Sequence, residues 1–196
     1  MKKIQKITNM QLGVIISRIG TSESTNKNTI HYKYFTLASA KEVEIIKDKF
    51  NDVFLEEKIN EKFMSKEGDI LMGLTSPHSV VYINKDLEGI IIPSQFIIIR
   101  VTDKTIDPRF LAIVLNSEHI KSKIKKMRNS AMQFWILRIP LLQELEINIP
   151  EIDIQEKVIK LNSLFDQERT LNNEYINKRE RQKQYFLDLM LPTNKK

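Results

Sequence analysis

The chain has 196 residues, of which 41% are hydrophobic and 29% charged, enough apolar material for one ordinary core with an appendage but not for two generous cores. Its 31 Lys and Arg against 25 Asp and Glu leave a net charge of +6, which suits an anionic partner without requiring one. The lack of cysteine excludes a disulfide framework, thiolate zinc sites and a cysteine nucleophile, and a cytoplasmic home is the simple expectation.

The start Met1-Lys2-Lys3-Ile4-Gln5-Lys6 imitates a signal-peptide leader, but Thr8, Asn9 and Gln11 interrupt the apolar stretch such a leader needs. No apolar run approaches the roughly 20 residues of a spanning helix. Short runs rich in Ile, Val, Phe and Tyr predict strands over 12–19, 30–37, 69–74, 80–83 and 95–101, the last too apolar for an exposed edge. Asp107-Pro108 is a cap followed by proline at the first helical position, and Phe110, Leu111, Val114 and Leu115 continue at helical spacing. A second helical stretch, 118–128, carries Lys121, Lys123, Lys125, Lys126 and Arg128 before the polar break Asn129-Ser130.

Ile147-Asn148-Ile149 alternates like a short strand, Pro150 stops it, and Asp153 with Glu156 forms a capping box. The 38 residues from Asp153 to Met190 contain no Gly or Pro, enough for a helix of about 57 Å at about 1.5 Å per residue. A 3-4 spacing through it takes in Val158, Leu161 and Phe165, then Glu168, Asn172, Tyr175, Arg179 and Gln182, then Phe186 and Leu189. This seam is apolar at both ends and polar in the middle, and it needs a partner helix. The expected fold class is therefore α+β, with a mostly antiparallel sheet domain over 1–150 and a long coiled-coil-type helix over 151–196.

Enzyme constellations fail on residue type. A restriction-type nuclease core wants an Asp followed by Glu-x-Lys, so that two carboxylates hold a divalent metal beside a lysine. Asp69 is a possible first ligand, but no Glu-x-Lys follows it. Gly68 and Gly73 have the spacing of a phosphate loop, yet Leu74 stands where its lysine belongs. His31, His78 and His119 lack any metal-ligand spacing, and no Gly-x-Gly motif or Pro-Pro methyltransferase tetrapeptide is present. Neither a metal nor a cofactor is expected.

Charge placement says more than total charge. Residues 1–150 hold 22 basic and 17 acidic side chains, and residues 103–139 alone hold eight against three, so this stretch carries the whole excess of five. From charge alone a solvated helix face is the slightly better reading of Lys121, Lys123, Lys125, Lys126 and Arg128, and contact with DNA phosphates is the functional expectation. Base edges are expected to be read by Thr75, Ser76, His78, Asn129, Ser130 and Gln133, with Arg18 and Lys33 behind them. Met132, Phe134 and Trp135 read as anchors of their loop in a core.

Seven segments in order carry a resemblance over nearly the whole chain: Tyr32-Lys-Tyr-Phe-Thr-Leu-Ala-Ser39, Glu67-Gly-Asp-Ile-Leu71, Pro93-Ser-Gln-Phe-Ile-Ile-Ile-Arg100, Asp107-Pro-Arg-Phe-Leu111, Leu115-Asn-Ser117, Asn129-Ser-Ala-Met-Gln133 and Leu145-Glu-Ile-Asn-Ile-Pro150 leading into Gln155. The sequence resembles half of a specificity subunit of a type I restriction-modification system, in which a target recognition domain and a long helix occur twice. It departs from the family in having Pro150-Glu151 for the usual double proline, Ile154 for a Glu, and Asn129 for a Gly. The resemblance implies a half-size, non-catalytic subunit that binds double-stranded DNA and directs a methyltransferase subunit and a restriction endonuclease subunit to a bipartite target. Met1 and the tail 192–196 favour a natural short reading frame. Pairing of Val158, Leu161, Phe165, Phe186 and Leu189 with those of an antiparallel second copy, Glu168 approaching Arg179 or Arg181, is expected to rebuild the two-domain layout. The competing readings are a metal-dependent DNA-processing enzyme and a coiled-coil interaction protein with an incidental basic face.

Overall fold

The protein is described by a computed structural model that covers residues 1–19, 29–41, 44–127 and 136–191. It divides into two compact units, Met1–Gln155 and Glu156–Lys196. In the first unit the strands are β1 (Lys2–Lys3), β2 (Thr8–Leu12), β3 (Ile30–Tyr34), β4 (Ala40–Lys41), β5 (Glu44–Ile45), β6 (Asn51–Leu55), β7 (Ile70–Gly73), β8 (Val80–Tyr82), β9 (Phe96–Val101) and β10 (Glu146–Ile147). Three helices accompany them: α1 (Pro108–Asn116), α2 (Glu118–Lys126) and α3 (Ile139–Gln143). A fourth, α4 (Ile152–Met190), opens in the first unit and supplies the second. The fold is α+β, as the sequence implies.

The principal sheet has the order β2-β9-β7-β8 with every neighbour antiparallel. Alternation along β9 explains its unbroken apolar run, because successive side chains point to opposite faces and both faces are covered. Ile97 and Ile99 join Ile70, Met72 and Val80 against the helical layer, where Leu111, Leu115, Ile120, Ile124 and Leu142 are buried. Phe96 and Ile98 join Leu71 and Val81 against Phe35, Leu87 and Ile92. The antiparallel β3–β6 pair closes a third cluster with Val14, Val53, Leu55 and Ile91.

The strand read over 12–19 is displaced: β2 is Thr8–Leu12, and Ile16–Arg18 is a 3-10 turn. The cause is Gly13. Its N–H donates to the Phe96 carbonyl at 3.1 Å and the next N–H, of Val14, to that of Ile92 at 2.9 Å, so the chain leaves the ladder to cross residues 92–94. A Cβ on Gly13 would lie 2.3 Å from the carbonyl oxygens of both Ile92 and Pro93. Gly13→Ala should therefore cost about 2 to 3 kcal/mol, read as a lower urea midpoint at unchanged slope. β6 escaped the sequence reading because Asn51 and Asp52 are poor strand formers, although Val53 and Leu55 are buried. Nor did the reading include α3, which at five residues is too short for periodicity to register.

Candidate nucleic-acid interface

α1 is built as its sequence implies: the Asp107 carboxylate accepts the Arg109 N–H at 2.8 Å, and Pro108 occupies the first turn. Ser117 then serves two helices. Its hydroxyl donates to the Val114 carbonyl at 2.7 Å and accepts the Ile120 N–H at the start of α2. Ile120 and Ile124, one turn apart, are buried and fix how α2 is rolled about its axis.

That roll separates the lysines. At about 100° per residue, Lys121 and Lys125 fall on one flank of the Ile120–Ile124 stripe, and Lys123 and Lys126 on the other. Lys123 Nζ lies 3.4 Å from the Glu146 carbonyl of β10, whereas the Lys121 charge acts on His78 of the β7–β8 turn. The run read as one patch is thus two lanes, and Lys121 of the first lane acts electrostatically on the turn through His78.

Residues 74–79 form that turn. Leu74 is its hub: its N–H donates to the Gln95 carbonyl and its own carbonyl accepts the Leu137 N–H, both at 2.9 Å. Thr75 and Ser76 are exposed at the tip, and the Ser76–Pro77 peptide is cis. His78 is placed differently from its expected role. It is 8% exposed, has φ of 55°, donates its backbone N–H to the Thr75 carbonyl at 2.8 Å, and sets ring Nδ1 3.1 Å from the Gly73 carbonyl. Burial pushes its pKa down, against the Gly73 hydrogen bond and with the help of Lys121, which favours the neutral ring, and the ring shapes the turn from inside. Gln95, exposed and adjoining Leu74, is a polar group that the sequence reading missed.

Arg128, Asn129, Ser130 and Gln133, together with Met132, Phe134 and Trp135, lie outside the described residues. The described residues on either side of them are Met127, which caps α2, and Ile136, followed by Leu137, whose N–H donates to the Leu74 carbonyl. Arg18 and Lys33 are exposed but go elsewhere: their neighbours Ile16, Ile19, Tyr32 and Tyr34 pack on the third cluster.

Asp69, the one carboxylate on which a nuclease reading depends, is 3% exposed and fully engaged. Arg100 Nε donates to its Oδ1 at 2.8 Å and Nη2 to its Oδ2 at 3.0 Å, while the Lys66 N–H caps Oδ2 at 3.1 Å. Gly68, with φ of 88°, provides the left-handed turn before it. Among the described residues no group of three or more His, Asp or Glu side chains is placed to hold a metal.

Gln155 is the other buried polar anchor. Its Oε1 accepts the Asp107 N–H, and its Nε2 donates to the carbonyls of Thr105 and Pro150, all at 2.9 Å. Helix α4 opens at Ile152, so Asp153 lies inside the first turn and is not the cap that its spacing with Glu156 predicted. Farther along, Leu161, Phe165, Phe186 and Leu189 are all more than half exposed and Val158 is half-buried. Leu164, Leu171 and Ile176, omitted from the 3-4 seam, are exposed as well and flank it. No helix of the described residues is long and apolar enough to cross a membrane.

The sequence matches no protein-family model and no curated protein. Solved structures do match. A chain from a type I restriction-modification system, solved in work on complex assembly and conformational transition, superposes with a TM-score of 0.67 at 15% identity, over 97% of this chain and 44% of its own. The HsdS subunit from Thermoanaerobacter tengcongensis gives 0.66 at 13% identity, over 97% and 48%. This chain has the fold of type I S subunits. The S subunit from M. genitalium is similar more loosely, at 0.52 and 15% identity over 90% and 41%. The chain thus spans less than half the length of each of these three chains, and the S-subunit fold covers residues of both of its units.

Proposed function

We propose that the chain provides one recognition domain and one long helix of a specificity subunit: a DNA-binding protein of the cytoplasm, without catalytic chemistry of its own, that directs a methyltransferase subunit and a restriction subunit to their target. The observation that carries the reading is the S-subunit fold over 97% of the chain. The engagement of Asp69 by Arg100 removes the main support of the nuclease alternative. Residues 1–150 serve as the recognition domain and 151–196 as the helix for pairing and subunit docking. Phosphates are met by Lys121 and Lys125, with Lys126 and Arg128 as further candidates. Bases are read by Thr75, Ser76, Asn129, Ser130, Gln133 and Gln95, with His78 holding the turn in shape.

A second copy pairs through α4, which leaves Leu161, Phe165, Phe186 and Leu189 exposed in one chain. Burying each fully is worth roughly 1.5 to 3 kcal/mol. Two identical domains related by a two-fold axis must read an inverted repeat. Selection of bound sequences from a random DNA pool should return two inverted half-sites with a fixed unread spacer, their centres on the order of 34 to 70 Å apart. A selected site without inverted symmetry would overturn the homodimeric reading.

A further inference from the structure

We infer that the two copies pair in one antiparallel register selected by Glu168 and Arg179, with the two-fold axis between Asn173 and Glu174. The inference rests on the homodimer proposed above and names the residues that choose its geometry. In this register the apolar ends meet: Val158 faces the partner's Leu189 and Leu161 the partner's Phe186, each contact occurring twice. Toward the centre, Glu168 faces the partner's Arg179, also twice. Between these layers Leu164 lies beside the partner's Tyr185, so that flanking leucine is covered too.

The neighbouring arrangements are worse for identifiable reasons. Sliding one heptad in one direction sets Glu168 against the partner's Phe186, and sliding in the other sets Leu161 against the partner's Arg179; either buries a charge on an apolar side chain. A parallel pair in register stacks Glu168 on Glu168 and Arg179 on Arg179, two like-charge layers inside the seam. The charges are available for this use. Asp166 takes Arg169 at 3.0 Å and Glu180 lies 4.0 Å from Lys183, but Glu168 has no ion pair among the described residues, and Arg179 rests over the Tyr175 ring at 6.0 Å.

The test uses the full chain and two readouts. By sedimentation equilibrium, Glu168→Arg and Arg179→Glu should each weaken dimerisation about tenfold or more, because each puts like charges face to face twice, and the double exchange should restore it to within about threefold. Because the chain has no cysteine, disulfide trapping is clean: Leu161→Cys chains mixed with Phe186→Cys chains should cross-link on oxidation. Neither should cross-link alone, since like positions lie about 37 Å apart along an antiparallel pair. Self-cross-linking of Leu161→Cys, or dimerisation indifferent to both charge reversals, would overturn the register while leaving the homodimer standing. A wild-type chain that is monomeric at micromolar concentration would overturn both.

Discussion

Replacing Lys121 and Lys125 together with alanine should lower affinity for every DNA sequence alike, by about thirtyfold near 0.15 M salt, and flatten the dependence of log affinity on log salt by about two units. The size follows from two lost phosphate contacts, each releasing about 0.9 counterion when made. Lys123→Ala is the internal control. Its ammonium is already placed 3.4 Å from the Glu146 carbonyl on the opposite flank of α2, so its removal should change the slope by much less than one unit. Equal effects of Lys121→Ala and Lys123→Ala would mean that α2 does not present one flank to DNA. Asn129→Ala or Gln133→Ala should behave differently from the lysines, relaxing the preference at particular base pairs by about 1 to 3 kcal/mol with the salt slope intact. Binding titrations at four salt concentrations, on a selected site and on an unrelated duplex, separate these outcomes.

What was legible in the sequence was what local chemistry decides. The Asp107-Pro108 start of α1 is a cap and a ring-fixed φ within two residues, and the structure builds it so. The apolar run of β9 announces a strand covered on both faces. What stayed hidden depends on partners far away in the chain. Nothing near Gly13 reports that the carbonyls of Ile92 and Pro93 will pass 2.3 Å from its missing Cβ, and nothing near Gln155 reports that its amide will be divided among Asp107, Thr105 and Pro150. The candidate interface shows an intermediate case. The lysines of α2 were visible as a basic run, but only the burial of Ile120 and Ile124 tells which of them share a flank. His78 stands among the expected base readers because a lone histidine in a turn sequence gives no sign that its ring folds inward onto the Gly73 carbonyl.

Asp69→Ala should destabilise the fold by about 3 kcal/mol and leave any DNA-cutting capacity of a preparation unchanged. The Arg100 guanidinium reaches four oxygens, two on Asp69 and the carbonyls of Lys62 and Met64 at 3.3 Å. With the carboxylate gone it keeps only the two weaker ones. Breaking a buried pair by removing one partner generally costs about 3 to 5 kcal/mol. The lower end applies because the Arg100 side chain is 29% exposed and water can reach it, whereas the Asp69 side chain is only 4% exposed. Arg100→Met together with Asp69→Leu should recover part of the loss, since no charge is then left stranded. Chemical denaturation of the three variants measures the series. Incubation of the unmodified chain with DNA, magnesium, ATP and S-adenosylmethionine should yield neither cut nor methylated product. Cleavage that survives repurification and vanishes specifically in a folded Asp69→Asn variant would make Asp69 a metal ligand in place of a structural one and promote the nuclease reading.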